Sequence, residues 1–304
     1  MLLRSGPFHR GNNECEMVVS LSRREFLVGA AFAALTSSVR AEAPRKIVTL
    51  EWAETEIALS LGIRPLGVAD LAGYRQWVNI ENDGLADAAD VGGRQQPSLE
   101  ALTRLKPDLI LTSALRHKAI AERLIAIAPT VLLDGASDSA DLFQDMKSNL
   151  AAAATALERE AEGRAEWQTF EDGLSAARAK LSGSLPVAIA QPLPGVARLR
   201  IFTTNSAVMK TLVQAGFSEA VDRGVQPFGF TTFGLEELAA LGPETRLCLL
   251  DDTTPKELTE SAIWPVLPVV SAGHIYHLGS DIWPFGSTRS MTRLVERTLS
   301  ALTA

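Results

Sequence analysis

Cysteine is nearly absent from this chain: Cys15 and Cys248 are the only two in 304 residues. No disulfide framework can therefore staple the fold. Cys248 stands alone in an apolar run and reads as a small core residue. Histidine is almost as scarce, at positions 9, 117, 274 and 277. His274 and His277 have a spacing that metal sites use, but on the strand expected at 274–278 residues three apart face opposite sides. A shared ion is excluded there. No G-x-S-x-G, no P-loop and no G-x-G-x-x-G occurs, so the common signatures of acyl transfer and nucleotide binding are missing. There is no basic surplus either. The net charge of −7 excludes the positive face that a nucleic-acid binder needs. Finally, no apolar run approaches the roughly 20 residues that cross a bilayer.

What is present is ordinary globular material, 46% hydrophobic and 21% charged. The organising stretch is 91–113. Pro97-Ser98 sets up a helix start, Leu99, Leu102 and Leu105 form one apolar stripe, and Lys106-Pro107 stops the helix. Residues 108–113 follow as a strand buried on both faces. Just before the helix, Gly92-Gly93-Arg94 puts a cation on a flexible loop. The pattern is written again 136 residues later, where Leu99, Glu100, Leu102, Leu105 and Pro107 reappear as Leu235, Glu236, Leu238, Leu241 and Pro243. A separation this long points to two similar lobes and not to a solenoid, whose period is about 20–50 residues.

Residues 1–43 read as a leader. Arg23-Arg24-Glu25-Phe26-Leu27 carries a twin-arginine export signature, followed by a short apolar core and small residues at a cleavage position near Ala41. The expected order is an N-terminal lobe at 44–138, a bridging helical region at 139–182 and a C-terminal lobe at 183–304. Strands alternate with helices in both lobes, which predicts an α/β fold: two Rossmann-like lobes with mainly parallel sheets. Residues 139–181 contain no proline and are rich in alanine, glutamate and arginine. They predict one long helix, or two joined by a bend near Gly163, and hence restricted motion between the lobes.

Aromatics make up only 6% of the chain, yet many fall in expected loops: Trp52, Tyr74, Trp77, Phe228, Phe230, Trp283 and Phe285. Loops at the carboxyl ends of parallel strands border the ligand site of open α/β sheets. These loops come from both halves and predict a shared aromatic cleft.

Taken together, Arg45-Lys46-Ile47-Val48-Thr49-Leu50-Glu51-Trp52, Asp90-Val91-Gly92-Gly93-Arg94, Pro97-Ser98-Leu99-Glu100 and Trp283-Pro284-Phe285-Gly286 resemble the periplasmic iron(III)-hydroxamate siderophore-binding proteins. That family serves the ferrichrome-type ABC importers. The resemblance runs from about residue 45 to the C-terminus. It implies a monomeric carrier, not an enzyme, with no cofactor and no protein ligand to the iron, which arrives inside its siderophore. Its cleft arginine matches Arg94, its N-lobe tryptophan Trp77, and its C-lobe aromatics Phe228, Trp283 and Phe285. Trp52 and Tyr74 join this set as aromatics of the same loops. In the wider receptor class an acidic residue on each lobe docks on arginines of the inner-membrane permease, and those positions match Glu100 and Glu236, with Glu237 a weaker candidate. Departures occur at Thr112 and Arg116, where the family has a tryptophan and a tyrosine, and at Phe285, where it has an aromatic hydroxyl. The added cation at Arg116 suits a partly anionic siderophore, one with citrate or a free carboxylate. The alternatives are a haem or cobalamin receptor of the same class, or a periplasmic enzyme that processes the siderophore.

Overall fold

The computed structural model describes residues 46–135 and 138–303. The expected leader, with the arginine pair Arg23-Arg24, lies outside the described residues. The first half forms five strands: β1 (Ile47–Thr49), β2 (Gly67–Val68), β3 (Ala89–Asp90), β4 (Leu109–Ser113) and β5 (Thr130–Leu133). All pair in parallel, in the order β3-β2-β1-β4-β5. Helix α1 (Trp52–Ser60) connects β1 to β2, and α2 (Leu99–Leu105) lies between β3 and β4. The strand order therefore reverses between β1 and β4, which opens a crevice above their carboxyl ends.

Local chemistry accounts for α2. The Ser98 hydroxyl accepts from the Ala101 N–H at 3.2 Å, and Lys106 leaves the helix in the left-handed region at φ 49° ahead of Pro107. Leu102 on the apolar stripe is fully buried.

The second half holds a mixed sheet of β6 (Pro186–Pro192), β7 (Leu199–Phe202), β9 (Phe230–Phe233), β10 (Arg246–Leu249) and β11 (Ile275–His277), ordered β11-β10-β6-β7-β9, with β8 (Ser218–Glu219) beside the start of β6. The pairs on the β10 side and the β8 pair are parallel. β7 runs antiparallel to both β6 and β9. The connection from Pro192 to Leu199 is too short for a parallel crossover, which takes a dozen or more residues, so the chain must turn back. The repeated unit lands in equivalent places, since β4 pairs with β1 and β10 with β6, each the first strand of its sheet. Its second helix, α6 (Leu235–Leu238), is shorter, and the Glu237 carboxylate accepts from the Gly234 N–H at 2.7 Å to start it.

The expectation for 139–182 needs correction. The segment is two helices packed as a hairpin, α3 (Leu142–Ala156) and α4 (Glu160–Lys180). The chain breaks at 157–159, where Glu158 takes φ 54°, and does not bend at Gly163. Gly163 lies inside α4, and a Cβ there would sit 2.7 Å from the Ala154 Cβ. The glycine permits close helix packing and supplies no flexibility. Phe143 at the start of α3 meets Trp167 and Phe170 of α4 at ring distances of 5.4 and 6.1 Å, which fixes the antiparallel sense. α4 starts beside Leu61 in the first half and ends with Arg178 and Leu181 against Gly216 in the second. Its 21 residues span about 31 Å at 1.5 Å per residue.

One hydrophobic core runs through both halves. Ile47, Leu111 and Leu133 of the first sheet join Val187, Ile189 and Phe202 of the second through Leu150, Phe170, Leu174 and Leu294 of the intervening helices. Helix α5 (Ala207–Gln214) and the C-terminal α7 (Thr288–Thr303) complete that layer. The described residues accordingly form a single compact unit.

The start of α7 is held by two carboxylates from elsewhere in the chain. Glu56 of α1, fully buried, accepts from the Ser287 N–H at 3.0 Å, the Ser290 N–H at 2.9 Å and the Ser290 hydroxyl at 2.6 Å. Glu166 of α4 accepts from the Thr288 hydroxyl and from Arg289, both at 2.6 Å. Glu56 thus answers orphan amides of the helix N-terminus, and both carboxylates sit at its positive end.

Candidate functional site

Between the two sheets lies a cavity of about 410 Å³, within the range of small-molecule sites. Its first wall comes from loops at the carboxyl ends of the parallel strands. Glu51 follows β1, Arg94 follows β3, and Arg116 follows β4 on a single helical turn whose Leu115 N–H is capped by the Ser113 hydroxyl at 3.2 Å. The Arg94 loop is a tight one. Gly92 bridges to Pro97 and takes φ 95°, and a Cβ on it would lie 3.0 Å from the Ser98 amide nitrogen, so glycine is required.

Glu51 ties the two arginines together. Its Oε2 accepts from Arg94 Nε at 3.0 Å and lies 2.9 Å from Arg94 Nη2, while Arg116 Nε lies 2.5 Å from its Oε1. The Arg94 guanidinium also stacks over Trp52 at 3.9 Å and lies 5.1 Å from the Trp283 ring centre. Burial raises the Glu51 pKa, and the two arginines oppose that rise. Beneath them His117 is buried, with Nδ1 2.5 Å from the Thr112 hydroxyl, and burial lowers its pKa, which favours the neutral ring.

The second wall is aromatic. Phe228 and Phe230 stack at 6.1 Å, Phe230 meets Phe285 at 6.0 Å, Phe285 meets Trp283 at 5.5 Å, and Trp283 meets Trp52 edge-on at 4.7 Å. Phe228 itself sits at φ 57° in the turn Pro227–Gly229. Gly229, at φ 70°, lies so close to Ser206 that a Cβ would come within 2.7 Å of the Ser206 Cα. Arg200 rises from β7 into this wall, its guanidinium 4.3 Å from the Phe230 ring centre and 5.5 Å from that of Phe285.

Of the residues expected from the sequence, Arg94, Arg116, Phe228, Trp283 and Phe285 line the cavity together. Trp52 stands one layer back, buried behind Arg94, with its indole N–H donating to the Asp70 carbonyl at 3.1 Å. Tyr74 is fully buried in the core behind that layer, its hydroxyl donating to the Ile80 carbonyl at 3.1 Å. Burial and the nearby Glu56 drive its pKa far up. Trp77 is 41% exposed and does not reach the cavity wall. The two share one turn, Tyr74–Val78, whose first and last residues turn inward while Trp77 faces out. Thr112 is also behind the wall, bonded to His117. Glu100 and Glu236 are exposed and do not line the cavity, and Glu100 is 3.6 Å from Arg104 on its own helix. Sequence reasoning passed over Arg200. Its signal was a lone cation inside the apolar run Leu199–Phe202. Among the described residues no group of three or more His, Cys, Asp or Glu is placed to hold a metal ion.

One buried carboxyl beside Glu51 has a testable signature. Glu54 is fully enclosed at the start of α1, and burial first, then the Glu51 charge, push its pKa from 4.5 up to about 8. A carboxyl raised in the folded state takes up a proton on folding. Its penalty is absent below about pH 4.5 and grows as pH rises to about 8, by at most about 1.4 kcal/mol per pH unit. Glu54→Gln keeps the shape without the ionisation. It is expected to be more stable than wild type by at least about 1 kcal/mol at pH 8 and to lose that advantage near pH 5. Urea unfolding across this pH range checks it, and a pH-independent difference would contradict the assignment.

The cavity, its sheets and its shared helical layer can be compared with known proteins. The Escherichia coli (strain K12) iron(3+)-hydroxamate-binding protein FhuD is 30% identical over 285 residues, covering 90% of this chain and 94% of that protein. The Fe(3+)-citrate-binding protein YfmC of Bacillus subtilis (strain 168) is 27% identical over 242 residues, covering 79% and 75%. Among solved structures, the siderophore binding protein FhuD from Vibrio cholerae, bound to Fe3+ and Desferal, superposes with a TM-score of 0.79 at 26% identity, covering 86% of this chain and 98% of that one. The family described as "Periplasmic binding protein" matches residues 47–282, and this chain belongs to it.

Proposed function

We propose that this protein captures a ferric siderophore in the cavity between its sheets and delivers it to an ABC permease. The observation that carries this reading is the makeup of the cavity wall. Arginines face a continuous run of aromatics, and the lining carboxylates Glu51, Asp134 and Asp145 belong to no group placed, among the described residues, to hold bare iron. Such a wall suits a bulky chelate whose iron is already wrapped and whose outer shell is ligand oxygen and hydrocarbon. Family membership and the ferric ligands of the named relatives support it. The family consists of substrate-binding transport proteins, which sets aside the processing enzyme.

In this reading Arg94, Arg116, Phe228, Phe230, Trp283 and Phe285 touch the ligand, while Trp52 and Tyr74 brace them from behind. Trp77, half exposed and off the wall, would meet only a ligand that overhangs the cavity. The two lobes are 44–138 and 183–304, with the α3–α4 hairpin between them. The mature protein works as a monomer outside the cytoplasm, exported through its twin-arginine leader.

Trp283 makes the test direct, because a ferric chelate against it will quench its fluorescence. Titration with ferrichrome, ferrioxamine, haem and cobalamin is expected to show saturable quenching by the ferric siderophores alone. Saturable binding of haem or cobalamin only would overturn the reading. Arg94→Ala should weaken siderophore binding by about 1.5–3 kcal/mol, the range for hydrogen bonds to a charged group. If only the melting temperature falls and affinity stays, Arg94 serves as a strut for Glu51.

The delivery step falls to Glu100 and Glu236. Both are exposed near the start of equivalent helices, whereas Glu237 is occupied as the cap of α6. Two equivalent carboxylates can orient the protein on a two-fold permease and steer encounter. Replacing both with alanine should leave folding and siderophore affinity intact and abolish uptake. Normal uptake by the stable double variant would return both glutamates to helix-end electrostatics.

A further inference from the structure

The three cavity arginines do not share the same electrostatic situation. Arg94 and Arg116 are both within ion-pair distance of Glu51, which partly balances them before any ligand arrives. Arg200 has no carboxylate partner among the described residues. Among the described residues its side chain donates from Nη1 to the neutral Gln191 Oε1 at 2.6 Å, and its Nε is buried without an acceptor. The remaining carboxylates of the lining, Asp134 and Asp145, make no ion pair with it, and no charged group offsets its burial. Phe230 and Phe285 cover the guanidinium, and burial lowers its pKa, a sign of the cost of holding this charge out of water.

An arginine packed against two rings in the lining of a ligand cavity, its charge without a carboxylate partner among the described residues, is prepared for a planar anion. A neutral ferric trihydroxamate would offer that charge only the weakly basic oxygens of its shell. We infer that the natural ligand is a ferric chelate bearing a free carboxylate, and that Arg200 is the residue that receives it. This deepens the proposed function and rests on it. Arg94 and Arg116 then face the iron-binding end of the chelate from the other wall, while Arg200 reads the pendant group and sets specificity.

Ferrioxamine B provides matched probes, because its pendant amine can be left free, acetylated or succinylated without changing the hydroxamates around the iron. The three complexes differ in pendant charge: cationic, neutral and carboxylate. Wild-type protein should bind the succinylated form at least tenfold more tightly than the acetylated form, with the free amine weakest. Arg200→Gln should erase the preference for succinyl over acetyl. Arg200→Lys should restore part of it. Equal wild-type affinity for the acetylated and succinylated forms would overturn the inference and leave the proposed function standing. So would an undiminished preference in Arg200→Gln, which would place the anion elsewhere. Failure of all three complexes to bind would instead overturn the proposed function. The wild-type comparison decides the carboxylate part of the inference even if Arg200→Gln fails to fold, and a preference undiminished in Arg200→Lys would then overturn the assignment to Arg200.

Discussion

The cleft depends on one buried carboxylate. Glu56 leaves α1 in the first half of the chain and caps the start of α7 in the second, accepting three hydrogen bonds from Ser287 and Ser290. Burying a carboxylate is costly, and burial raises its pKa while the bonds from Ser290 and Ser287 oppose the rise. That cost is offset only if the donors stay in place, so the carboxylate and the helix start define each other's position. The loop just before those donors is Trp283-Pro284-Phe285-Gly286, which forms part of the aromatic wall. A Cβ on Gly286 would lie 2.5 Å from Glu56 Oε2, so the loop can approach the carboxylate only with glycine there. The aromatic wall of the second half is thus positioned from the first.

Three glutamates within six residues perform three different tasks. Glu51 faces the cavity and pairs with two arginines, Glu54 is enclosed and favours its proton, and Glu56 caps a distant helix. Their environments, not their identity, separate them. The shared core adds to the constraint, because the helices between the sheets pack on both at once. Opening the cleft by rotating one sheet would expose apolar surface and strip the donors from Glu56. The structure therefore favours a cleft formed before ligand arrives, with little ordering to offset on binding.

Much of this was legible in the residues, and the gaps have physical reasons. The repeated helix-proline-strand unit was readable because its leucine spacing, cap and proline are local chemistry, and its copies occupy matching sheet positions. The hairpin of α3 and α4 was not, because helix propensity is high throughout 139–181 and the break rests on Glu158 in a left-handed conformation. Gly163 looked like a bend when it is a contact with Ala154. Tyr74 and Trp77 read alike as loop aromatics. Only the turn geometry shows that one enters the core and the other meets solvent. Antiparallel β7 departs from the parallel alternation expected, because its connection to β6 is short, and the lone cation it carries toward the cavity, Arg200, gains meaning only because no carboxylate among the described residues partners it.

The central claim is that Glu56 and the common core fix the two walls before the ligand enters. Small-angle scattering of the mature protein, with and without a saturating ferric siderophore, tests it most directly. The account predicts superimposable curves and an unchanged radius of gyration. A clear contraction on binding would show that the lobes close on the ligand and that the Glu56 contact does not hold them fixed.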